Sequence, residues 1–205
     1  MKKAKRTIIL LSYYENAMDW LFEYLRSVNA KKIAYIIDAK KPRLEKEPDY
    51  FFDKEGFGKA GFEVDLIDLE NTQNLEERFK NADAIYVKGG NTFYLLNAMM
   101  KSGFDKIAKK MVDSGVIYIG ESAGSYVACP TIEMAHWKHQ DADIVGLKDL
   151  TGLNLVPFLV TVHYKPEYEP MIRPHIEKSK YEVRVLTDHK AILLEDGKEE
   201  LIKVK

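Results

Sequence analysis

Short apolar runs rich in β-branched and aromatic residues recur along most of this chain, and amphipathic stretches of helical period separate them. Runs of this length that are apolar throughout are typical of parallel strands buried on both faces. Their regular alternation with helices predicts a doubly wound, mostly parallel α/β sheet flanked by helices. The predicted strands are residues 7–11, 32–37, 62–66, 84–87 and 116–119, and the predicted helices are residues 16–28, 47–59, 75–80, 92–101 and 104–112.

The last third of the chain follows a different pattern, because only one good helical stretch, at 166–180, lies among its strand-like runs. The final two runs flank residues 195–198, whose sequence EDGK is typical of a hairpin turn. We therefore expect antiparallel strands at the C-terminal edge of the sheet. Residues 131–154 have the least pattern and predict a long loop, which in a compact domain is often functional. The strand-like runs are residues 155–162, 182–186, 191–194 and 201–204.

Length and composition predict a single globular domain over residues 1–205. Hydrophobic residues make up 46% and charged residues 31%, which excludes disordered and collagen-like classes. The formal net charge of -1 gives no broad field for binding nucleic acid or an anionic membrane. No stretch approaches the roughly 20 apolar residues that span a bilayer, and the lone Cys129 fits a reduced protein. We therefore expect a cytoplasmic protein with small or neutral partners.

The strongest chemical signal is the G-x-S-x-G sequence at 120–124, which follows a predicted strand and leads into a helical stretch. The small residues around Ser122 permit a sharp strand-to-helix turn that lifts its side chain above the sheet. The hydroxyl would then lie at a helix N-terminus, where backbone N–H groups favour developing negative charge. This context predicts a nucleophile, and the structural alternative is a serine that only caps the helix.

A second glycine turn, KGGNT at 88–92, follows the predicted strand at 84–87 and opens another helix. It should lie at the same edge of the sheet as Ser122, because both strands are parallel. Gly89, Gly90 and Asn91 are therefore candidates for binding an oxyanion or other substrate atoms, as a serine nucleophile requires. A phosphate-binding turn and an ordinary helix start are the alternatives.

Of the five histidines, His163 has the best position to act as a base. It follows the apolar residues 158–162, so it should emerge from a strand end where Ser122 is expected. The alternative is a partly buried histidine that a backbone carbonyl satisfies. Asp188 could orient such an imidazole as the third member of a triad, although spacing alone favours a simple turn residue.

A zinc site is one reading of His136 and His139, because their spacing beside Asp141 and Asp143 can hold that metal. A solvated loop beside the substrate cleft explains the same residues more simply. We therefore expect no metal and no organic cofactor.

Four segments together resemble one known family: KGGNTFYLL at 88–96, GESAGSYVA at 120–128, VTVHY at 160–164 and LTDHKAILL at 186–194. In order and spacing they are similar to the serine peptidases of the dipeptidase E (alpha-aspartyl dipeptidase) family, which is related to cyanophycinases. The resemblance covers nearly the whole chain and implies a flavodoxin-like fold akin to class I glutamine amidotransferases. It also implies catalytic roles for residues of these segments: Ser122 as nucleophile, His163 as base, amides around Gly89, Gly90 and Ala123 as oxyanion donors, and an acidic third member that falls on Asp188, where dipeptidase E carries glutamate.

The resemblance further implies a short peptide substrate, which in the aspartyl dipeptidases has an N-terminal aspartate held by an arginine downstream of the catalytic histidine. The corresponding segment here, 165–180, is shorter, and Arg173 is its only arginine. Arg173 and Lys165 are the candidates for holding a substrate carboxylate. The loop at 131–154 could cover the sheet edge and limit entry to short peptides. We expect hydrolysis through an acyl-enzyme on Ser122. A homodimer is compatible with this expectation.

Two other functions remain open. An α/β-hydrolase esterase runs in the order serine, acid, histidine, which here would need Ser122, Asp143 or Asp149, and His189. The order of His163 before Asp188 opposes that arrangement. A flavodoxin-like ligand-binding module would instead use the glycine turns for a phosphate, without catalysis.

Overall fold

The computed structural model describes residues 5–43, 52–138 and 141–205, without the side chains of Arg43, Phe52 and Asp53. Within these ranges, nine strands form one seven-stranded sheet and one separate pair. The strands are β1 Thr7–Leu11, β2 Lys32–Ile36, β3 Glu63–Ile67, β4 Ala84–Val87, β5 Ile117–Glu121, β6 Leu159–Thr161, β7 Val183–Val185, β8 Lys190–Glu195 and β9 Lys198–Lys203. The α-helices are α1 Tyr14–Ser27, α2 Phe52–Lys59, α3 Leu75–Phe79, α4 Thr92–Ser102, α5 Phe104–Asp113, α6 Ala123–Val127 and α7 Glu169–Lys178.

The large sheet has the strand order β3-β2-β4-β5-β1-β8-β9, and its first five strands pair in parallel. β8 pairs antiparallel with β1, and β9 pairs antiparallel with β8. Asp196 and Gly197 connect these last two strands, both with positive φ (49° and 84°), as a tight hairpin turn requires. The predicted fold class, a mostly parallel sheet with an antiparallel C-terminal edge, is confirmed.

The segment 155–162 differs from its prediction, because only Leu159–Thr161 forms a strand. The amides of Leu155 and Val156 bond to the carbonyl of Ala128 instead of to a neighbouring strand. Pro157 follows them and has no N–H to give to a ladder. The apolar pattern therefore indicated burial correctly but strand length incorrectly. β6 pairs in parallel with β7 in the separate two-stranded sheet.

Other boundaries shift at the ends of predicted elements. The helix expected over 47–59 is described from Phe52 onward, and its earlier part lies outside the described residues. The helix expected over 166–180 is a short 3-10 turn, Pro166–Tyr168, followed by α7. The described residues of 131–154, which leave out 139 and 140, form the predicted long loop, with one 3-10 turn at Glu133–His136 and a single bridge between Thr131 and Thr151.

The central strands of the sheet are buried on both faces, as alternate side chains of β1 illustrate. Ile8 and Leu10 belong to one hydrophobic core, and Ile9 and Leu11 belong to the other. This arrangement follows from the two-residue period of a strand that helices cover on both sides. Among the described helices, none combines the length and the apolar character that crossing a membrane would require.

The topology also decides where chemistry can occur. β4, β5 and β1 are neighbouring parallel strands, so the residues that follow them share one edge of the sheet. Lys88 follows β4, Ser122 follows β5 and Ser12 follows β1.

Candidate active site

Ser122 lies at the sharp turn between β5 and α6. Its backbone has φ 49° and ψ -106°, a conformation that costs a non-glycine residue about 1–3 kcal/mol. Gly124 makes the turn possible, because a β-carbon there would overlap the carbonyl oxygen of Val87. The Ser122 side chain makes no capping hydrogen bond to α6, so the structure does not support the capping alternative.

The hydroxyl of Ser122 faces an imidazole instead. Its Oγ lies 2.9 Å from Nε2 of His163, which follows β6 and has a φ of 53°. The other ring nitrogen, Nδ1, lies 2.6 Å from Oδ1 of Asp188, which precedes β8. The three residues predicted as a catalytic unit are thus in one hydrogen-bonded line.

The ionisation of Asp188 fixes the direction of these bonds. Burial raises the pKa of this carboxyl, but hydrogen bonds from Ser12 and His163 outweigh burial, and the net pKa is lowered. An ionised carboxylate only accepts hydrogen bonds, so the Nδ1–H group of His163 donates a hydrogen bond to Asp188. In the neutral imidazole, Nε2 then has its lone pair toward the Ser122 hydroxyl, and this is the tautomer that a general base requires.

Gly89 packs directly against the nucleophile, since a β-carbon on Gly89 would lie 3.0 Å from the β-carbon of Ser122. Its amide, however, donates to Oε2 of Glu121 over 3.1 Å. The predicted role of the Gly89 amide as an oxyanion donor is therefore not supported. Within the described ranges, the amides of Gly90 and Ala123 make no hydrogen bond to another protein group, and they remain the candidate donors.

Sequence reasoning missed Glu121, a buried carboxylate beside the nucleophile. Its Oε2 accepts from the Tyr86 hydroxyl and the Gly89 amide and pairs with Nζ of Lys88 at 3.0 Å. Burial raises the pKa of Glu121, but the charge of Lys88 and these hydrogen bonds outweigh burial and lower it. Val87 pairs with Gly120 in the sheet, so Lys88 and Glu121 extend from adjacent strand ends. A lysine directly after one strand and a glutamate at the end of the neighbouring strand are the signal that could have revealed the pair.

Asn91, predicted as a substrate contact, has structural contacts through its whole side chain. Its side-chain oxygen accepts from the Tyr94 amide at 2.8 Å, and its Nδ2 donates to the Ala142 carbonyl at 2.9 Å. The Asn91 amide donates to the Ala39 carbonyl. Asn91 therefore caps α4 and holds the loop at 131–154, and both polar atoms of its side chain already have a protein partner.

The same loop closes the N-terminus of α4. The Asp141 carboxylate accepts hydrogen bonds from both the amide and the hydroxyl of Thr92. A carboxylate is a favourable partner for the positive end of a helix dipole. The position at which a phosphate would bind is thus taken by the protein itself, which opposes the phosphate-binding alternative.

Arg173 lies on α7 and is exposed. It forms an ion pair with Glu169 and makes no hydrogen bond to the three triad residues. Glu169 also accepts a hydrogen bond from the Tyr164 hydroxyl at 3.1 Å. Tyr164 directly follows His163, so this cluster is tied to the segment that carries the base. Lys165 is exposed.

The acid and base candidates of the esterase alternative form hydrogen bonds to other parts of the protein. Asp143 caps a loop turn through the amides of Val145 and Gly146, and Asp149 accepts from the Thr151 amide. His189 bonds through Nδ1 to the carbonyl of Lys205. These contacts oppose the esterase alternative.

The zinc alternative gains no support from the described residues. His136 packs against the ring of Phe93, and His139 lies outside the described residues. In the described part of the chain, the one group with metal-ligand spacing is Asp38, Asp68 and Glu70. Lys41 forms ion pairs with all three of these carboxylates.

Lys138 is a buried cation beside the site. It donates to the carbonyl of Val162, next to His163, and lies over the Tyr168 ring. Burial lowers the pKa of Lys138 to about 8, although Asp188 and Asp141 oppose that shift.

The low pKa predicts a pH-dependent stability. Between about pH 8 and the ordinary lysine pKa near 10.5, the unfolded chain holds a proton that the folded chain has lost. The free energy of unfolding should therefore rise with pH in this window, by a few kcal/mol at about 1.4 kcal/mol per pKa unit. Urea unfolding of the wild type and Lys138→Met at both ends of the window measures this rise. An equal rise in both proteins would contradict the assignment to Lys138.

Gly90 should tolerate no side chain. Its φ is 152°, and a β-carbon would overlap the carbonyl oxygen of Ala39. Gly90→Ala should cost about 1–3 kcal/mol in unfolding free energy and lower turnover, because its amide would move relative to Ser122. Gly103→Ala is the matched control, since Gly103 also has positive φ but open space around it. Urea unfolding and steady-state kinetics of both variants test this, and equal behaviour would refute the steric argument.

Comparison with known proteins shows similarity over most of the chain. The sequence model of Peptidase family S51 matches residues 8–202. The chain is 30% identical over 162 residues to an uncharacterized peptidase of Pasteurella multocida. This alignment covers 78% of this chain and 77% of the relative. The chain is also 33% identical over 169 residues to Peptidase E of a Nostoc species, and this alignment covers 78% of this chain and 66% of the relative.

A solved structure is similar in fold. A crystal structure of a Listeria monocytogenes protein, provisionally named Peptidase E, matches with a TM-score of 0.83 and 27% identity. The match covers 98% of this chain and 100% of that chain. The range matched by the family model includes Ser122, His163 and Asp188.

Proposed function

The chain belongs to peptidase family S51, and from that membership we propose a serine peptidase that hydrolyses short peptides through an acyl-enzyme on Ser122. The observation that carries the proposal is the hydrogen-bonded line from the Ser122 hydroxyl through His163 to the Asp188 carboxylate. Covalent peptide hydrolysis needs a nucleophile, a base and a group that orients the base. All three are side chains of this chain, so the proposed reaction requires no metal or organic cofactor.

Acylation begins when Ser122 Oγ attacks the carbonyl carbon of the peptide bond and His163 Nε2 takes the hydroxyl proton. Asp188 stabilises the resulting imidazolium through its bond to Nδ1. The imidazolium then donates the proton from Nε2 to the leaving amine, the C–N bond breaks and an ester remains on Ser122. Water attacks this ester while Nε2 takes its proton, and the acid product leaves as the proton returns to Ser122.

The tetrahedral intermediates carry negative charge on the former carbonyl oxygen. The Ala123 amide, at the N-terminus of α6, and the Gly90 amide are the donors that we assign to this oxygen. Each such donor contributes on the order of 10²-fold to 10³-fold in rate. The pair of Lys88 and Glu121 supports this arrangement, because it holds the Gly89 turn against Ser122.

A short substrate is supported by the loop at 131–154. Hydrogen bonds from Thr92 to Asp141 and from Asn91 to Ala142 hold this loop against the start of α4, beside the glycine turn. A loop fixed at this edge limits the space for a long chain. We propose that folded and denatured proteins are poor substrates and that dipeptides or similarly short peptides are good ones.

Arg173 is our candidate for reading an acidic substrate, because its guanidinium is exposed and its partner Glu169 is tied to Tyr164 beside the base. Arg173→Glu should lower kcat/KM for dipeptides with N-terminal aspartate by roughly 10-fold to 100-fold relative to neutral ones, the scale of a charged hydrogen bond. Arg78→Glu is the control, since Arg78 forms a comparable exposed pair with Asp65 on other elements. Equal losses for acidic and neutral dipeptides would show that Arg173 does not read the substrate.

The proposed function is tested by labelling with a fluorophosphonate probe and then by a dipeptide library. The probe should modify Ser122, and peptide mapping locates the adduct. Cys129 should not compete, because burial raises the pKa of its thiol to about 12 and keeps it protonated. Absence of labelling at Ser122, together with absence of hydrolysis across the library, would overturn the proposal.

A further inference from the structure

Ser12 joins the acid and the base of the site, although the reaction described above does not use it. It follows β1 and is fully buried. Its Oγ lies 2.6 Å from Oδ1 of Asp188 and 2.8 Å from the backbone nitrogen of His163. One hydroxyl therefore contacts both loops that supply the triad.

The direction of these bonds follows from what each group can do. The backbone N–H of His163 can only donate, so Ser12 Oγ accepts from it. The ionised Asp188 carboxylate can only accept, so the hydroxyl group of Ser12 donates its one hydrogen bond to Asp188. Nδ1 of His163 donates to the same carboxylate oxygen. The result is a closed ring in which each hydrogen-bonding group has a defined direction.

This ring counteracts two features that would otherwise let the base move. His163 has a backbone φ of 53°, which is unfavourable for a non-glycine residue. β6, which leads to His163, belongs to the separate two-stranded sheet, whereas β8, which follows Asp188, belongs to the large one. Ser12 extends from a central strand of the large sheet and bonds to both segments.

We propose that Ser12 is a positioning residue that fixes His163 and Asp188 relative to each other and to the nucleophile. The inference rests on the proposed function, because it assigns Ser12 a place in the same catalytic site. Ser12 is fully buried, so we assign it no contact with the substrate. It acts by holding Nε2 of His163 on the Ser122 hydroxyl and by keeping Asp188 ionised as the acceptor for Nδ1.

Three variants separate positioning from filling of space. Ser12→Ala removes the hydroxyl, and Ser12→Cys keeps nearly the same volume while replacing it with a weak donor. Thr7→Val is the matched control, because Thr7 is a buried hydroxyl residue at the other end of β1, away from the triad. Circular dichroism and thermal unfolding establish that each variant is folded before its kinetics are compared.

We expect Ser12→Ala to lower kcat by roughly 10-fold to 100-fold, the scale of a small misplacement of a catalytic group, with KM little changed. Ser12→Cys should not restore kcat, and Thr7→Val should leave it unchanged. Full activity in Ser12→Ala, full rescue by Ser12→Cys, or the same loss in Thr7→Val would each overturn the proposal.

A spectroscopic measurement keeps this test separate from the proposed function. The proton on Nδ1 of His163, in a 2.6 Å hydrogen bond to Asp188, should give a strongly deshielded proton NMR signal. The signal should persist in Thr7→Val and be lost or shifted upfield in both Ser12 variants. If the wild type neither labels nor hydrolyses peptides, the proposed function fails while this signal still tests the positioning role. An unchanged signal in Ser12→Ala would refute that role.

Discussion

Ser122→Ala should abolish peptide hydrolysis, with a loss of kcat on the order of 10⁴-fold or more, while the protein stays folded. The loss follows because no other side chain can form the acyl-enzyme at the turn between β5 and α6. The stability should change little, since the hydroxyl of Ser122 bonds to His163 and does not cap α6. Steady-state kinetics and urea unfolding measure the two effects on the same preparation.

Ser125→Ala is the matched control for a structural serine in the same turn. Ser125 is fully buried, and its Oγ lies 2.8 Å from the carbonyl oxygens of both Leu11 and Gly120. Loss of the Ser125 hydroxyl should lower the unfolding free energy by about 1 kcal/mol or more, while the nucleophile Ser122 stays in place. If Ser122→Ala unfolds as readily as Ser125→Ala and keeps its activity, Ser122 is structural and the mechanism is wrong.

His163→Ala should be nearly as damaging as Ser122→Ala, and the double variant should be hardly worse than either single one. When groups act as one catalytic unit, removing one of them also removes the contribution of the others to the rate. The losses in kcat/KM from the single variants therefore do not add. The structural reason is the 2.9 Å contact between Nε2 of His163 and the Ser122 hydroxyl, which lets neither residue act without the other. Measuring kcat/KM for the wild type, both single variants and the double variant completes the cycle.

His175→Ala is the control for this cycle, because His175 stacks on Trp137 and is not part of the triad. It should keep kcat/KM close to that of the wild type. Additive losses in the Ser122 and His163 variants would contradict a shared unit, as would a His175→Ala loss of equal size.

Much of the site could be predicted because its signals are local. The glycines around Ser122 predict a sharp turn from their own lack of a side chain, and the structure has that turn. The apolar runs that precede Ser122 and His163 predict strand ends, and parallel strands bring their ends to one edge. The hairpin at residues 195–198 was likewise readable from its own sequence.

The predictions that the structure opposes have a common physical origin, because each overlooked a partner distant in the chain. Gly89 looked like a free donor, but its amide is taken by Glu121, 32 residues further along the chain. Asn91 looked like a ligand contact, but its amide group is taken by Ala142, 51 residues away. The segment 155–162 looked like a long strand, yet the carbonyl of Ala128 takes the amides at its start.

The sequence by itself determined the alternation of strands and helices, the turn that presents Ser122, and the identity of the base and acid candidates. These depend on periodicity and on the conformational range of a few residues, which are properties of short segments. Only the tertiary structure decided that Ser12 meets His163 and Asp188, at separations of 151 and 176 residues. The physical reason is that a hydrogen bond needs a partner within about 3 Å, and for residues so far apart only the assembled sheet, with β1 between β5 and β8, creates that proximity.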